Sequence, residues 1–221
     1  MAKFRTALVT LAATFLALLA TCTTALATGT EPRERPPVAL APSVPGPAGP
    51  RTVATDADAT VSIPAIGVDD LTVVPYEGTT DDLAGTRIQD GGVAASPRGD
   101  TGGVGPGEIG NYLVTAHRLS AGGPLHDLPE LRTGDVVTVV EDGRTYRYEI
   151  TGTRWTSFRS ERSLAEQRAA VPGRPEERPT EAMITLSTCA TPEDDAAGNY
   201  WRDDLGNPEH RIDKVGVLID D

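Results

Sequence analysis

An all-β fold, a barrel or a sandwich, is what this 221-residue chain predicts from about Thr60 onward. Three observations carry that reading. Short runs rich in Val, Ile, Thr and Tyr recur through this part of the chain, and Gly, Pro, Asn and Asp divide them. Helical periodicity never extends much beyond about two turns. Seven or eight short strands with so little helix close into a barrel or pack as two sheets.

Taken in order, Val61–Ile66 and Leu71–Tyr76 are the first two β-type runs. The Gly- and Pro-rich segment Asp90–Gly107 reads as loop. Gly110-Asn111 leads into Tyr112–Ala116, a compact apolar strand that ends at His117-Arg118. Gly134-Asp135 is a turn before Val136–Val140. Asp142-Gly143 then signals a hairpin into Thr145–Ile150, where polar and apolar residues alternate. Ala182–Leu186 and Lys214–Ile219 complete the strands. Helical signal is confined to Asp81–Ala84, Leu125–Leu131 and Ser163–Ala170.

The part before Thr60 reads as an address and a spacer. Lys3 and Arg5 precede the uncharged, Leu- and Ala-rich stretch Thr6–Ala27, and Ala25-Leu26-Ala27 has the small residues of a cleavage site. The layout suits a cleaved signal peptide or a retained signal-anchor span over residues 1–29, and either exports the remainder of the chain. Leu19-Ala20-Thr21-Cys22 is only faintly like a lipoprotein box, because Thr21 stands where Gly, Ala or Ser is expected. Prolines recur from Pro32 to Pro50, so residues 30–58 read as a semi-rigid Pro/Ala-rich linker. Residues 59–221 are then the folded domain.

Composition removes several classes of function. A formal net charge of -12, with 32 acids against 20 bases, denies the chain the cationic face that nucleic acid requires. Two cysteines, Cys22 and Cys189, cannot build a disulfide scaffold, and no Cys-x-x-Cys or Cys/His cluster suggests zinc.

Cys189 is the informative residue. It has no plausible disulfide partner in the exported domain, so its thiol is either a buried core group or a nucleophile. Thr185–Cys189 ends a β-run and Thr191-Pro192 opens a polar loop, which puts the thiol at the rim of the sheet. His117 closes an earlier strand, and Arg211 opens the last. A thiol nucleophile, a proton donor for a leaving amine and a fixed cation for an oxyanion are the parts of a cysteine peptidase-type site.

These residues occur in segments that resemble the sortases. Thr-Leu-Ser-Thr-Cys at 185–189, Ala116-His117-Arg118 upstream and Arg211 downstream match the family's order. Ile63–Val68, Gly107–Asn111, Gly123-Pro124-Leu125 with Leu128, and Leu131–Asp135 continue it. The resemblance covers residues 60–221, and the Thr-Leu-x-Thr-Cys form, the Arg content and the Pro-rich stalk are most similar to the class E sortases of actinobacteria.

The resemblance implies an eight-stranded β-barrel with a few short helices. It implies a cysteine transpeptidase that cleaves a Leu-Pro-x-Thr-Gly or Leu-Ala-x-Thr-Gly sorting signal of secreted proteins between Thr and Gly. Cys189 would hold the acyl group as a thioester, His117 would move the protons, and Arg211 would hold the substrate backbone and offset the oxyanion. Thr188 would help shape the oxyanion pocket. A cell-wall precursor amine would accept the acyl group at the extracytoplasmic face of the membrane. No metal or cofactor is required.

Other residues carry quieter expectations. The stretch 190–210, with Glu193, Asp194, Asp195, Asp203, Asp204, Tyr200 and Trp201, either closes over substrate or is a solvated acidic excursion. It lacks an Asp-x-Asp-x-Asp-Gly calcium loop. His210 lies beside Arg211 but fits the family less well than His117. His126 reads as a surface residue, Arg118 as a structural partner for a carboxylate, and Trp155 and Trp201 as packing residues. Two rival functions remain: a noncatalytic exported barrel that binds cell-wall or peptide ligands, and the same site used as a hydrolytic peptidase.

Overall fold

The computed structural model describes residues 57–220. Residues 1–29, expected to be a signal or anchor segment, and all but the last two residues of the expected 30–58 linker lie outside the described residues. Eight strands form a closed barrel: β1 (Ala59–Ile63), β2 (Val68–Glu77), β3 (Ala94–Arg98), β4 (Gly110–Thr115), β5 (Val136–Glu141), β6 (Arg144–Ser157), β7 (Ala182–Cys189) and β8 (His210–Asp220). Their order around the barrel is β1-β2-β3-β4-β7-β8-β6-β5. Three short α-helices interrupt them, α1 (Leu83–Gln89), α2 (Glu161–Arg168) and α3 (Thr191–Ala196).

Alternation along the strands sorts side chains between the lumen and the outer face. Val61, Ile63, Val73, Tyr112, Val114, Val137, Val139, Tyr148, Ile150, Ile184 and Leu186 belong to one buried apolar cluster. Leu125, Leu128 and Leu131 join it from a single 3-10 turn at Leu128–Glu130. Lys214 is buried beside them, where its Nζ donates to the carbonyls of Pro129 (2.9 Å) and Leu131 (2.6 Å) and to Thr153 Oγ1 (3.0 Å). The hairpin at Asp142-Gly143 forms with both residues at positive φ, as a two-residue primed turn requires.

The structure departs from the sequence expectations in three elements. Ile63 ends β1, and Pro64–Ile66 turns as a 3-10 segment before β2. Within the expected loop Asp90–Gly107, Ala94–Arg98 forms β3, parallel to β2. Its alanines, serine and proline carry no β signal; tertiary pairing makes it a strand. At Thr191 the chain enters α3, with Pro192 in its first turn followed by Glu193 and Asp194.

The outer face of β7 and β8 is buried as well, but by polar groups. Ser187 lies opposite Asp213 in the β7/β8 register, two pairs before Cys189 and Arg211 and so on the same face. Gln167, from α2, donates through Nε2 to Ser187 Oγ (3.2 Å) and Asp213 Oδ1 (2.9 Å), and accepts at Oε1 from Thr80 Oγ1 (2.9 Å). Thr156 Oγ1 donates to Asp213 Oδ2 at 2.6 Å. Asn111 Nδ2 donates to the carbonyls of Gln167 and Ala169, fastening the α2 segment over the sheet. Every one of these buried polar side chains has a partner, the condition under which such a layer fixes a structure.

Candidate active site

Cys189 is the last residue of β7, and Arg211 is its direct cross-strand neighbour on β8. Antiparallel pairing sets thiol and guanidinium side by side on one face of the sheet. His117 arrives from the other flank of β7. β4 runs parallel to it with Thr115 opposite Ser187, and the Ala116 N–H donates to the Ser187 carbonyl at 3.2 Å. Two residues on from Thr115 and Ser187 are His117 and Cys189. The barrel therefore brings all three sequence-predicted groups to the same end of adjacent strands.

Thr188 sits between outward-facing positions, directly before Cys189 in β7. Its neighbours in β7 face outward, and its own buried hydroxyl donates to the Ala116 carbonyl at 2.9 Å. The Thr188 side chain ties the segment carrying His117 to the strand carrying Cys189.

His117 meets a carboxylate: its Nε2 lies 2.9 Å from Asp90 Oδ1. Asp90 is the residue after α1, and Gln89 at the end of that helix anchors it to β4 by donating to Thr115 Oγ1 at 3.2 Å. The other end of α1 reaches Arg211. Asp81 Oδ2 accepts from Arg211 Nε at 3.1 Å, a pair in which both side chains are buried. Arg211 is only 1% exposed. Its guanidinium lies 4.4 Å from the centre of the Phe158 ring, a cation–π contact that closes one face. Its Nη1 and Nη2 are buried and have no hydrogen-bond partner among the described residues.

Burial pushes the Cys189 thiol above its ordinary value, against the opposing pull of Arg211 and Arg118; Asp81 and Asp203 add to the rise. The resting thiol is therefore protonated at neutral pH, and its proton must leave before or during attack. Arg118 braces the strand end. Its Nη1 donates to the Cys189 carbonyl and to Glu193, and its Nε donates to the His126 carbonyl.

The acidic stretch 190–209 is internally bonded rather than simply solvated. Asp194 accepts from the His210 N–H (3.0 Å) and lies 2.7 Å from its Nδ1, while Arg202 pairs with Asp195 and Asn207 donates to Asp203. Among the described residues no group of three or more His, Cys, Asp or Glu is gathered to hold a metal ion. Trp201 receives the Arg159 guanidinium at 5.9 Å. Trp155 is 49% exposed and meets His210 edge to face, so it is a surface residue beside the site and not a core one. The sequence offered no sign of Asp81, Asp90 or Phe158 as neighbours of this site.

No curated protein matches the chain by sequence. Among solved structures it is similar to the SrtA sortase of Actinomyces oris, with 18% identity and a TM-score of 0.55 over 79% of this chain and 86% of that one. It is similar to sortase E of Streptomyces avermitilis, with 24% identity and a TM-score of 0.53 over 75% of this chain and 89% of that one. Sortase E1 of Streptomyces coelicolor, solved with a tripeptide in its active site, gives 20% identity and a TM-score of 0.53 over the same shares, 75% and 89%. The family model for the sortase domain matches residues 61–201, a span that holds the end of β1, all of β2 to β7, His117 and Cys189. With the closed barrel around that span, the chain belongs to the sortase family.

Proposed function

We propose that this protein is a cysteine transpeptidase of the class E type, which cuts a C-terminal Leu-Pro-x-Thr-Gly or Leu-Ala-x-Thr-Gly signal of secreted proteins and passes the acyl group to a cell-wall amine. The observation that carries the reading is the convergence of Cys189, Arg211 and His117 on one end of three adjacent strands. Cys189 attacks the Thr carbonyl, and the buried Nη1 and Nη2 of Arg211 are the donors available for the oxygen as it gains charge. His117 takes the proton that leaves the Cys189 thiol and gives it to the departing glycine amine, so that the C–N bond breaks and a thioester remains. In the second half His117 takes a proton from the incoming amine, which displaces the thiol and forms the new amide. The peptide in the Streptomyces coelicolor relative is a ligand of the class this reading requires. The basic, apolar and Pro-rich order of residues 1–58 supports placement on the extracytoplasmic face of the membrane.

The test is mass spectrometry of the protein after exposure to a Leu-Pro-x-Thr-Gly or a Leu-Ala-x-Thr-Gly peptide, with and without an added amine. An acyl adduct on Cys189 and incorporation of the amine are expected. Cleavage without incorporation would make the protein a peptidase, and no adduct or cleavage with either signal peptide would overturn the enzymatic reading.

A further inference from the structure

The short helix α1 joins the imidazole and guanidinium parts of the site, through Asp90 at one end and Asp81 at the other, and the residue just before its cap is fixed on both sides. Thr80 is held by Gln167, and Arg168 Nη1 donates to Thr79 Oγ1 at 2.7 Å. Asp82 caps α1 by accepting from the Gly85 N–H at 2.8 Å, and also accepts from the Thr79 N–H at 3.0 Å. Gly85 is required there, because a methyl group in its place would run into the Tyr76 hydroxyl. Between these anchors Asp81 adopts a left-handed backbone, φ 60°, that turns its carboxylate onto Arg211 Nε. The acyl transfer described above gives Asp81 no direct part in bond making or breaking, and the capping of α1 falls to Asp82.

We propose that Asp81 is a positioning residue, whose carboxylate fixes the Arg211 guanidinium through Nε so that Nη1 and Nη2 stay turned to the substrate, and whose charge offsets that of the arginine standing across the ladder from Cys189. The inference deepens the transpeptidase reading and rests on it for the role of Arg211. Its second part concerns only the thiol. The charged groups acting on Cys189 are Arg211 on β8, Arg118 after β4, Asp81 before α1 and Asp203 in the 190–209 stretch. Around Arg211 they are Asp81, Asp213 and Cys189 itself. His117 and Asp90 complete the set on the β4 side. Of the two acids acting on the thiol, only Asp81 also touches the arginine.

The experiment compares the wild type with Asp81→Asn, a substitution that suits a left-handed backbone and removes only the charge. Alkylation of Cys189 by iodoacetamide is followed across pH, with Cys189→Ala as the blank, alongside steady-state transfer of a sorting-signal peptide. The expected result is a lower alkylation midpoint together with a kcat/KM reduced about tenfold or more. A merely structural residue would lower the activity without moving the midpoint down. An unchanged midpoint or an unchanged kcat/KM overturns the corresponding part of the proposal. The alkylation profile is readable even if no peptide is cleaved, so failure of the transpeptidase reading is told apart from failure of the charge role. Should Asp81→Asn not fold, the wild type still decides: the Arg211 Nε–H resonance, assigned by its loss in Arg211→Lys, is expected to exchange slowly with solvent, and free exchange would overturn the clamp.

Discussion

His117 and His210 flank the same thiol, and each holds an aspartate within hydrogen-bond distance, yet they are built for different work. The partner of His117, Asp90, has a side chain 62% exposed at the end of a short helix. The partner of His210, Asp194, is 5% exposed and also accepts the His210 backbone N–H, so ring and main chain are locked together. One imidazole is restrained by a single solvated contact and can turn toward a substrate. The other is a pin that closes the 190–209 stretch against β8. Proximity to the cysteine does not distinguish them; the burial of their partners does.

The largest expected effect separates the two imidazoles directly. His117→Ala should lower kcat/KM for peptide cleavage by about a thousandfold or more, because proton delivery to the leaving amine is lost. His210→Ala should lower it by no more than about tenfold. Steady-state rates on the two variants check this, and equal losses would erase the distinction.

Next is stability. Asp194→Ala leaves the His210 N–H and ring without their partner and should cost about 2 kcal/mol, or roughly 4–8 °C in Tm for a domain of this size. Thermal melts measure it, with Asp90→Ala as the comparison, expected to move Tm by no more than about 2 °C.

A smaller effect probes the solvated pair. Asp90→Asn should reduce kcat/KM by about two- to fivefold, since an exposed carboxylate orients the ring without fixing it. A loss as deep as that of His117→Ala would show that the acid is an obligatory partner.

The smallest effect tests what a carboxylate does when no partner is close. Glu141, buried at the end of β5, has Arg98 only at 3.9 Å, and burial raises its pKa from the ordinary 4.5. An acid whose folded value is raised supports the fold most fully below its unfolded pKa, and loses that contribution as pH climbs through the folded one. Glu141→Gln should therefore raise stability above about pH 5 by about 1 kcal/mol or less, and flatten its decline. Urea melts across pH report both.

The barrel was legible in the sequence because its strands carry β-branched runs with turn residues between them, Val136–Val140 and the Asp142-Gly143 hairpin most plainly. β3 was not, because Ala94–Arg98 becomes a strand only by lying between β2 and β4. α3 had a readable start in Pro192 and the acids behind it. That Cys189, His117 and Arg211 meet at one end of the barrel was legible because each lies at or just beyond a strand terminus in a recognisable segment. The place of Asp81 was not. Nothing near it in sequence announces a partner 130 positions away, and its left-handed turn is set by contacts with α2.

The thiol and the arginine belong to neighbouring antiparallel strands, so the excursion between them leaves and returns at one point of the barrel rim. Its length and sequence can drift without changing the spacing of the reacting groups, which the ladder alone dictates. An architecture of this kind separates what the sheet holds at a fixed spacing from a loop that leaves and rejoins it at one place, so residues 190–209 can change in length without moving the strands beneath.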